Sequence, residues 1–195
     1  NICLYLLFIC QLRKIPVVIC SDSRFKDSKR IIFLELIKKI LLRGCSSAIV
    51  AGKESGNYLI RLGFKKEKIF KPYDVVDNEY FLSSNDNKRF NKYVLCISRF
   101  IRRKNHIKLL KAFESYKKKG GYLNLKLIGN GPEKKNIMDA KEKLLFASNI
   151  SIEDWKDISE LKDYYSKAKV FVLLSTNDQW GLVINEAMAS GLPCI

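Results

Sequence analysis

Short apolar runs alternate along this chain with longer segments of helical pattern, and this alternation limits the possible folds more than any other feature. The apolar or extended runs are residues 15–20, 46–52 and 68–76, and the helical segments between them are residues 27–44 and 53–64. Such short, β-branched runs are typical of strands buried on both faces, as in parallel sheets. Asp27 or Ser28 is the expected cap of the first of these helices.

The alternation restarts beyond residues 77–92, a polar stretch rich in Asn and Ser that has no helical or strand period. Strands are predicted at residues 93–98, 123–129, 149–153 and 169–175, and helices at residues 105–119, 132–144, 158–168 and 181–190. We therefore predict an α/β chain with two Rossmann-like domains, each built on a parallel sheet. Their predicted ranges are residues 1–76 and 93–195, joined by a linker at residues 77–92.

The charge of the chain is strongly positive, with 36 Lys and Arg residues against 20 Asp and Glu residues and a formal net charge of +16. Such an excess favours anionic partners, which include nucleic acid, anionic lipid and phosphorylated small molecules. A lysine-rich composition spread over solvated faces is the alternative explanation. The positions of the cations therefore matter more than their number.

The cysteines and the single histidine exclude a zinc site of the usual spacing. The chain has six cysteines, no Cys-x-x-Cys pair and one histidine, His106. Most of the cysteines lie in apolar runs, so we interpret them as small core residues of a reduced, cytoplasmic protein. The apolar opening, residues 1–10, is shorter than the roughly 20 residues of a membrane span and lacks the basic leader of a signal peptide. It predicts a buried helix.

Polar or glycine-rich segments follow four predicted strands of the second half. In open α/β sheets, ligands bind beyond the carboxyl ends of the strands. One segment contains Arg99 and Lys104, just before a helix whose first amides also attract anions. Another contains Gly129 and Gly131, which let the backbone approach a ligand closely. The remaining two contain Trp155 and Lys156, and the run that follows Ser175. Each segment is weak evidence alone, but all of them fall on the same edge of one sheet.

Two carboxylates, Asp178 and Glu186, flank Gly181 in the last segment. If a helix begins near Gly181, Asp178 lies in the loop before it, and Glu186 lies in its second turn. The first amides of a helix have no partner within the helix. A ligand with hydroxyls at two ends and a diphosphate between them fits this layout, because carboxylates accept hydroxyl hydrogen bonds while amides and cations hold phosphate. A nucleotide sugar is such a ligand.

Residues 93–195 resemble the carboxyl-terminal domain of family 4 glycosyltransferases, which are GT-B enzymes also described as glycosyl transferases group 1. The resemblance rests on ISRFIRRKNHIKLLKAF, on LKLIGNGPEKKNI and on YYSKAKVFVLLSTNDQWGLVINEAMASGLPCI. KPYDVVDNEYF, residues 71–81, matches the passage into that domain, and residues 1–70 resemble the end of the acceptor-side domain. The resemblance implies a GT-B fold of which both domains are incomplete in this chain.

The resemblance also implies roles for individual residues. Arg99 and Lys104 match a pair that contacts the donor diphosphate, and Asp178 and Glu186 match the Glu-x7-Glu motif. The second acid of that motif holds the ribose hydroxyls, and the first faces the donor sugar. Asp178 is shorter than the usual Glu, which leaves the identity of the sugar open. Together, the candidate catalytic residues are Asp178, Arg99 and Lys104, and the candidate donor-binding residues are Glu186, Gly181, Leu182, Gly129, Trp155, Lys156 and Ser175.

The implied reaction is transfer of a hexose from a nucleoside diphosphate sugar to a saccharide or lipid-linked acceptor, with retention, in glycan or polysaccharide biosynthesis. The resemblance implies that no cofactor and no metal take part, and cations and helix amides can neutralise the leaving diphosphate. The family's glycine-rich loop and catalytic histidine precede Asn1, and His106 is not that histidine. The chain alone is therefore expected to be inactive. Its expected location is the cytoplasm.

Three alternatives stay open. A basic nucleic-acid-binding protein would use the +16 charge directly, but it gives no reason for Asp178 and Glu186 to line the site. An inactive, truncated gene product is the second. The third, a peripheral membrane role, is compatible with the transferase: the apolar helix predicted at residues 27–44 can rest on anionic lipid at the inner face of the membrane, or else lie buried on one face of the acceptor-side domain. Its basic flanking residues are Lys29, Arg30, Lys38, Lys39 and Arg43.

Overall fold

The structure, a computed structural model, describes residues 2–82, 93–178 and 180–195. The chain divides into two compact units, Asn1–Val75 and Val76–Ile195. Each unit contains one sheet whose strands pair in parallel. The predicted α/β class with two parallel sheets is therefore confirmed. Most of the predicted linker, residues 83–92, lies outside the described residues.

The first unit is a small sheet with strand order β1-β2-β3. Its elements are α1 (Ile2–Leu12), β1 (Val18–Ser21), α2 (Ile32–Leu42), β2 (Ser47–Val50), α3 (Lys53–Arg61) and β3 (Ile69–Phe70). Ala48 and Val50 of β2 are fully buried, and Leu59 of α3 packs in the same cluster. The strands are shorter than the predicted extended runs, because only part of each run pairs with a neighbour.

The predicted burial of the first helix is wrong. Residues 2–12 form α1, but none of them is buried, and Ile2 and Leu12 are 74% and 68% exposed. α2 is also exposed on much of its surface, with Ile32 at 87% and Phe33 at 69%. A sheet of three strands is too narrow to cover the apolar faces of both helices. In the described part of the chain, every helix is too short or too polar to cross a bilayer.

The start of α2 also differs from the prediction, because the helix begins at Ile32. The Asp27 carboxylate accepts hydrogen bonds from the backbone N–H of Arg24 at 2.7 Å and from the Arg24 Nε at 2.9 Å. These contacts hold Phe25–Asp27 in a 3-10 turn. Asp27 therefore caps a local turn and not the helix.

The second unit contains a wider sheet with strand order β6-β5-β4-β7. Its elements are α4 (Asn78–Leu82), β4 (Tyr93–Ile97), α5 (His106–Lys118), β5 (Asn124–Ile128), α6 (Lys134–Glu142), β6 (Ile150–Glu153), α7 (Ile158–Lys167), β7 (Ala168–Phe171) and α8 (Leu182–Ala189). Beyond β7, Cys194 forms a parallel bridge with Phe171. The sheet therefore grows from β4 first through β5 and then, in the other direction, through β7. This topological switch marks the edge at which α/β sheets bind ligands.

Apolar side chains cover both faces of this sheet. Leu95 and Phe171 pack on the face that α7 and α8 cover. Cys96, the neighbour of Leu95, points to the opposite face and packs with Leu127 and with Ile137 of α6. The core interpretation of the cysteines is thus correct for Cys96. It is wrong for the exposed cysteines Cys3, Cys20 and Cys194.

Residues 78–82 form the short helix α4, although the sequence shows no helical period there. The Asp77 carboxylate accepts a hydrogen bond from the N–H of Tyr80 at 2.9 Å, as an N-cap does. Phe81 is 1% exposed, and its ring packs edge-on against Tyr165 at 5.8 Å between centroids. The first part of the predicted linker therefore belongs to the core of the second unit.

Substitution Phe81→Ala is expected to lower the free energy of unfolding by about 3–5 kcal/mol, because it leaves a cavity in this core. Urea denaturation followed by circular dichroism measures the loss. Leu82→Ala is the matched control. The Leu82 side chain is adjacent in sequence but 57% exposed, so this variant should lose no more than about 0.5 kcal/mol of unfolding free energy. Equal losses for the two variants would contradict the packing of α4.

Candidate functional site

Two loops lie side by side at the carboxyl edge of the second sheet. The loop after β4 contains the 3-10 turn Arg102–Lys104, and the loop after β7 leads to α8. The backbone N–H of Thr176 donates to the carbonyl oxygen of Arg103 at 2.8 Å, and the Thr176 hydroxyl donates to the same oxygen at 3.2 Å. These bonds join the two loops at the topological switch.

Lys104 and Asp178 form an ion pair between these loops. Lys104 Nζ lies 2.5 Å from Asp178 Oδ2, and the two side chains are 10% and 21% exposed. Because little water surrounds the pair, its attraction is screened less than that of a surface pair. Arg99 lies on the same loop with an exposed side chain. The structure thus brings Lys104 to Asp178, as expected for residues of one site.

Two glycines let the loop after β5 approach the loop after β4. Gly129 has φ +152°, and a Cβ there would lie 2.0 Å from the carbonyl oxygen of Ser98. Gly131 has φ +153°, and a Cβ would lie 2.5 Å from the carbonyl oxygen of Phe100. The close approach that the sequence predicts at Gly129 is therefore an approach between two parts of the chain itself.

The helix α8 begins where the sequence predicts. Gly181 is its N-cap in the left-handed conformation, with φ +80°, which glycine adopts without steric cost. A Cβ on Gly181 would lie 3.7 Å from Asp178 Oδ2, so this carboxylate lies beside the helix start. The N–H groups of Leu182 and Val183 have no acceptor within the helix. N–H groups at a helix start attract anions, and these two lie next to the Lys104–Asp178 pair.

Glu186 lies in the second turn of α8 and contacts Tyr165 of α7. The Tyr165 hydroxyl donates to Glu186 Oε2 at 2.7 Å. Burial raises the pKa of the Glu186 carboxyl, and the bond from Tyr165 offsets only part of this effect. An ionised carboxylate has about four acceptor sites, so Glu186 retains capacity for ligand hydroxyls beside this bond.

His106 supports the loop that carries the cations. It is 3% exposed, its Nε2 lies 2.9 Å from Ser98 Oγ, and its ring packs edge-on against Phe100. Burial, together with the nearby Lys104 charge, lowers the pKa of the imidazole to about 4. The ring is therefore neutral at pH 7 and adds no repulsion to Lys104.

The remaining candidate donor-binding residues are Trp155, Lys156 and Ser175. Trp155 is 53% exposed, and Lys156 Nζ lies 3.8 Å from Glu160. Ser175 Oγ is buried and has no hydrogen-bond partner among the described residues, which is consistent with a hydroxyl beside a ligand site. Within residues 2–82, 93–178 and 180–195, no three His, Cys, Asp or Glu side chains converge as a metal-ligand set.

Sequence reasoning missed three residues that shape the site. Thr176 joins the loops through backbone atoms of Arg103, and Tyr165 reaches Glu186 across two helices; no pattern in the sequence indicates either contact. The Asn130 amide donates to Asp154 at 3.0 Å. Its position between two glycines is the one feature of the sequence that points to it.

The glycosyl transferases group 1 family model matches residues 79–195, more than half of the chain, and the chain belongs to this family. The putative glycosyltransferase EpsF of Bacillus subtilis (strain 168) is 24% identical over 95% of this chain and 52% of its own length. The alpha-monoglucosyldiacylglycerol synthase of Streptococcus pneumoniae is 26% identical over 93% of this chain and 46% of its own length. The chain therefore spans about half the length of the curated relatives it matches.

Solved structures show the same fold. Anabaena Alr3699/HepE in complex with UDP superposes with a TM-score of 0.78 at 18% identity, over 98% of this chain and 56% of that chain. The likeness to such structures confirms the GT-B fold that the sequence predicts.

The burial of the Lys104–Asp178 pair predicts that it stabilises the second unit. Asp178→Asn should lower the free energy of unfolding by about 1.5–3 kcal/mol, because a mostly buried ammonium loses its charged partner. The matched control is Asp163→Asn, since the Lys167–Asp163 pair has the same 2.5 Å distance but side chains that are 40% and 60% exposed. Thermal and urea unfolding at pH 7 should give a loss within about 0.5 kcal/mol for the control. Equal losses would show that burial adds nothing.

The close contact of Gly129 with Ser98 predicts that any side chain at position 129 destabilises the fold strongly. Gly129→Ala should destabilise the second unit by more than about 3 kcal/mol, because the new Cβ meets a backbone oxygen. Gly120→Ala is the control, since Gly120 has φ +87° but open space around it; conformational strain alone should cost about 1–2 kcal/mol. A Gly129 variant no less stable than the Gly120 variant would contradict the close approach.

Proposed function

We propose that this chain is part of a hexosyltransferase that moves a hexose from a nucleoside diphosphate sugar to a saccharide or lipid-linked acceptor, in glycan or polysaccharide biosynthesis. Membership of glycosyl transferases group 1 supports the transferase reaction. The complex of the Anabaena protein with UDP supports a nucleoside diphosphate as the ligand. The observation that carries the proposal is the Lys104–Asp178 pair beside the start of α8, at the edge where such sheets bind ligands.

In the proposed complex, the diphosphate lies between the loop after β4 and the start of α8. Arg99, Lys104 and the amides of Gly181 and Leu182 hold it, and the anion displaces Asp178 from Lys104. Once the donor is bound, these groups face the leaving diphosphate, so they stabilise the negative charge that develops on it during transfer. Asp178, once displaced, accepts hydroxyls of the donor sugar.

The nucleoside is proposed to lie along the same edge. Glu186 accepts hydrogen bonds from the ribose hydroxyls. These bonds are strong because the acceptor is a charged carboxylate. Trp155, which is 53% exposed, offers a flat apolar surface of the kind on which a base stacks. Lys156, Gly129 and Ser175 complete the proposed donor-binding set.

We further propose that transfer proceeds with retention at the anomeric carbon and without a cofactor or a resident metal ion. Arg99, Lys104 and the α8 amides supply the charge neutralisation that a divalent ion otherwise supplies to a leaving phosphate. The chain alone is proposed to be inactive in transfer, since the glycine-rich loop and the histidine that the resemblance implies are not among its residues.

The proposed location is the cytoplasm, at the inner face of the membrane. α2 exposes Ile32 and Phe33 and carries the exposed basic residues Lys39 and Arg43 at its end, a combination that favours peripheral contact with anionic lipid. Two members of the predicted basic flank contribute less than the sequence suggests. Arg30 and Lys38 lie 3.7 Å and 2.8 Å from Glu35, which partly neutralises them.

Nucleic acid is not a proposed partner. A nucleic-acid-binding protein gives no reason for the carboxylates of Asp178 and Glu186 to lie at the candidate site, because contacts with a phosphate backbone use cations. A nucleotide sugar uses the same carboxylates as hydroxyl acceptors.

Titration of the full chain with UDP, GDP, ADP and a short single-stranded DNA tests the proposal. Isothermal titration calorimetry should show binding of a nucleoside diphosphate, unchanged by EDTA. Glu186→Ala should weaken it about ten- to a hundredfold, because a charge-assisted ribose contact is worth roughly 1.5–3 kcal/mol.

Glu142→Ala is the control variant, since this glutamate of α6 is 71% exposed, and it should bind as the wild type does. If only DNA binds, with steep salt dependence and no effect of Glu186→Ala, the proposed donor site is wrong.

A further inference from the structure

A tyrosine–carboxylate contact lies behind the proposed donor site. Tyr165 is 0% exposed, and its ring lies 5.8 Å from the ring of Phe81 and 6.0 Å from that of Phe171, between centroids. Packing against these two rings restricts the ring of Tyr165, because core side chains occupy few rotamers at interior density. Its hydroxyl is therefore held at a fixed point beneath α8.

The hydroxyl faces two acceptors of α8. It lies 2.7 Å from Glu186 Oε2 and 3.4 Å from the carbonyl oxygen of Val183. A hydroxyl has one proton to donate, and the shorter bond to a carboxylate is the stronger one. Glu186 is thus held through one of its two oxygens.

We propose that Tyr165 is a positioning residue for donor binding: its hydroxyl fixes the Glu186 carboxylate so that the other oxygen, Oε1, is presented to the ribose hydroxyls. This inference rests on the proposed function of Glu186 as the ribose acceptor. A carboxylate with free rotation would have to be ordered when the nucleotide binds, and ordering a side chain costs free energy. Tyr165 removes this cost before binding.

The contact also makes binding depend on pH. Burial raises the pKa of Glu186, and Tyr165 lowers it. The ionised carboxylate is the better hydroxyl acceptor, so affinity is present above this pKa and lost as the pH falls through it. Removing the hydroxyl raises the pKa further, which moves the loss of affinity to higher pH.

The other titratable groups that face Tyr165 do not add charge in this range. They are Cys96 of β4 and Cys194, which follows α8. Burial raises the pKa of the Cys96 thiol to about 12. Cys194 is exposed as a residue, but its thiol is partly buried, and this raises its pKa as well. Both are therefore neutral while Glu186 titrates.

Tyr165→Phe tests the proposal, because it removes the hydroxyl and keeps the packed ring. UDP affinity of the full chain is measured by calorimetry from mildly acidic to neutral pH. We expect a loss of about three- to tenfold at neutral pH and a shift of the acidic limb to higher pH. Tyr164→Phe is the matched control, since the hydroxyl of this adjacent residue donates to a different carboxylate, Glu153, at 2.6 Å. It should show neither effect.

A double variant distinguishes a positioning role of Tyr165 from a merely structural one. Glu186→Ala has no carboxylate to position or to titrate, so adding Tyr165→Phe to it should weaken UDP binding less than about twofold and should not shift the pH profile. If Tyr165→Phe weakens binding equally in both backgrounds, with no pH shift, its role is structural and the proposal is overturned.

The failure of this inference differs from the failure of the proposed function. If the wild-type chain binds none of the nucleotides, both are wrong. If the wild type binds UDP, Glu186→Ala does not, and Tyr165→Phe behaves as the wild type at every pH, the donor site stands and the positioning role is wrong.

Discussion

The sheet of the second unit grows in two directions from β4, and every feature of the candidate site depends on this topology. β5 and β7 flank β4, so the chain leaves neighbouring strands toward different helices, and α/β sheets bind ligands at the carboxyl ends of such strands. Lys104 reaches this edge from the loop after β4, and Asp178 reaches it from the loop after β7. A sheet built in simple sequence order would not bring these two loops together.

Neutral, buried groups beneath the carboxyl edge of the second sheet hold the charged groups of the candidate site in place. His106 supports the cation-bearing loop through Ser98, and its low pKa keeps it uncharged. Tyr165 supports Glu186 on the other face of the sheet, the one that both α7 and α8 cover. Gly129 lets the loop after β5 lie against the loop after β4, because it has no side chain to separate them. The site is therefore built on packed elements, and its charges do not have to be ordered by the ligand alone.

Much of this organisation could be predicted from the sequence, because it depends on local pattern. Buried parallel strands are short and apolar, so β4 and β5 are recognisable. A glycine followed by an apolar period marks the start of α8 at Leu182. The carboxylate and cation positions follow once strand ends are known, although the roles of these residues remain predictions.

The rest could not be predicted, because it depends on contacts distant in sequence. An apolar period predicts a helix in α1 but does not say whether enough sheet exists to cover it. Phe81 lies in a polar stretch, and only its packing in the apolar cluster that contains Tyr165 makes it a core residue. The Tyr165–Glu186 bond joins two helices through a geometry that neither helix encodes alone. Asp27 fits a helix cap by type, yet Arg24 holds it in a turn.

The most direct test of the proposed donor site is a crystal structure of the chain with a bound nucleoside diphosphate sugar. The account predicts a diphosphate within about 3.2 Å of Lys104 Nζ and of the amide of Leu182, with the ribose hydroxyls on Glu186 and the Lys104–Asp178 pair opened. A nucleotide bound elsewhere, with that ion pair intact, would contradict it.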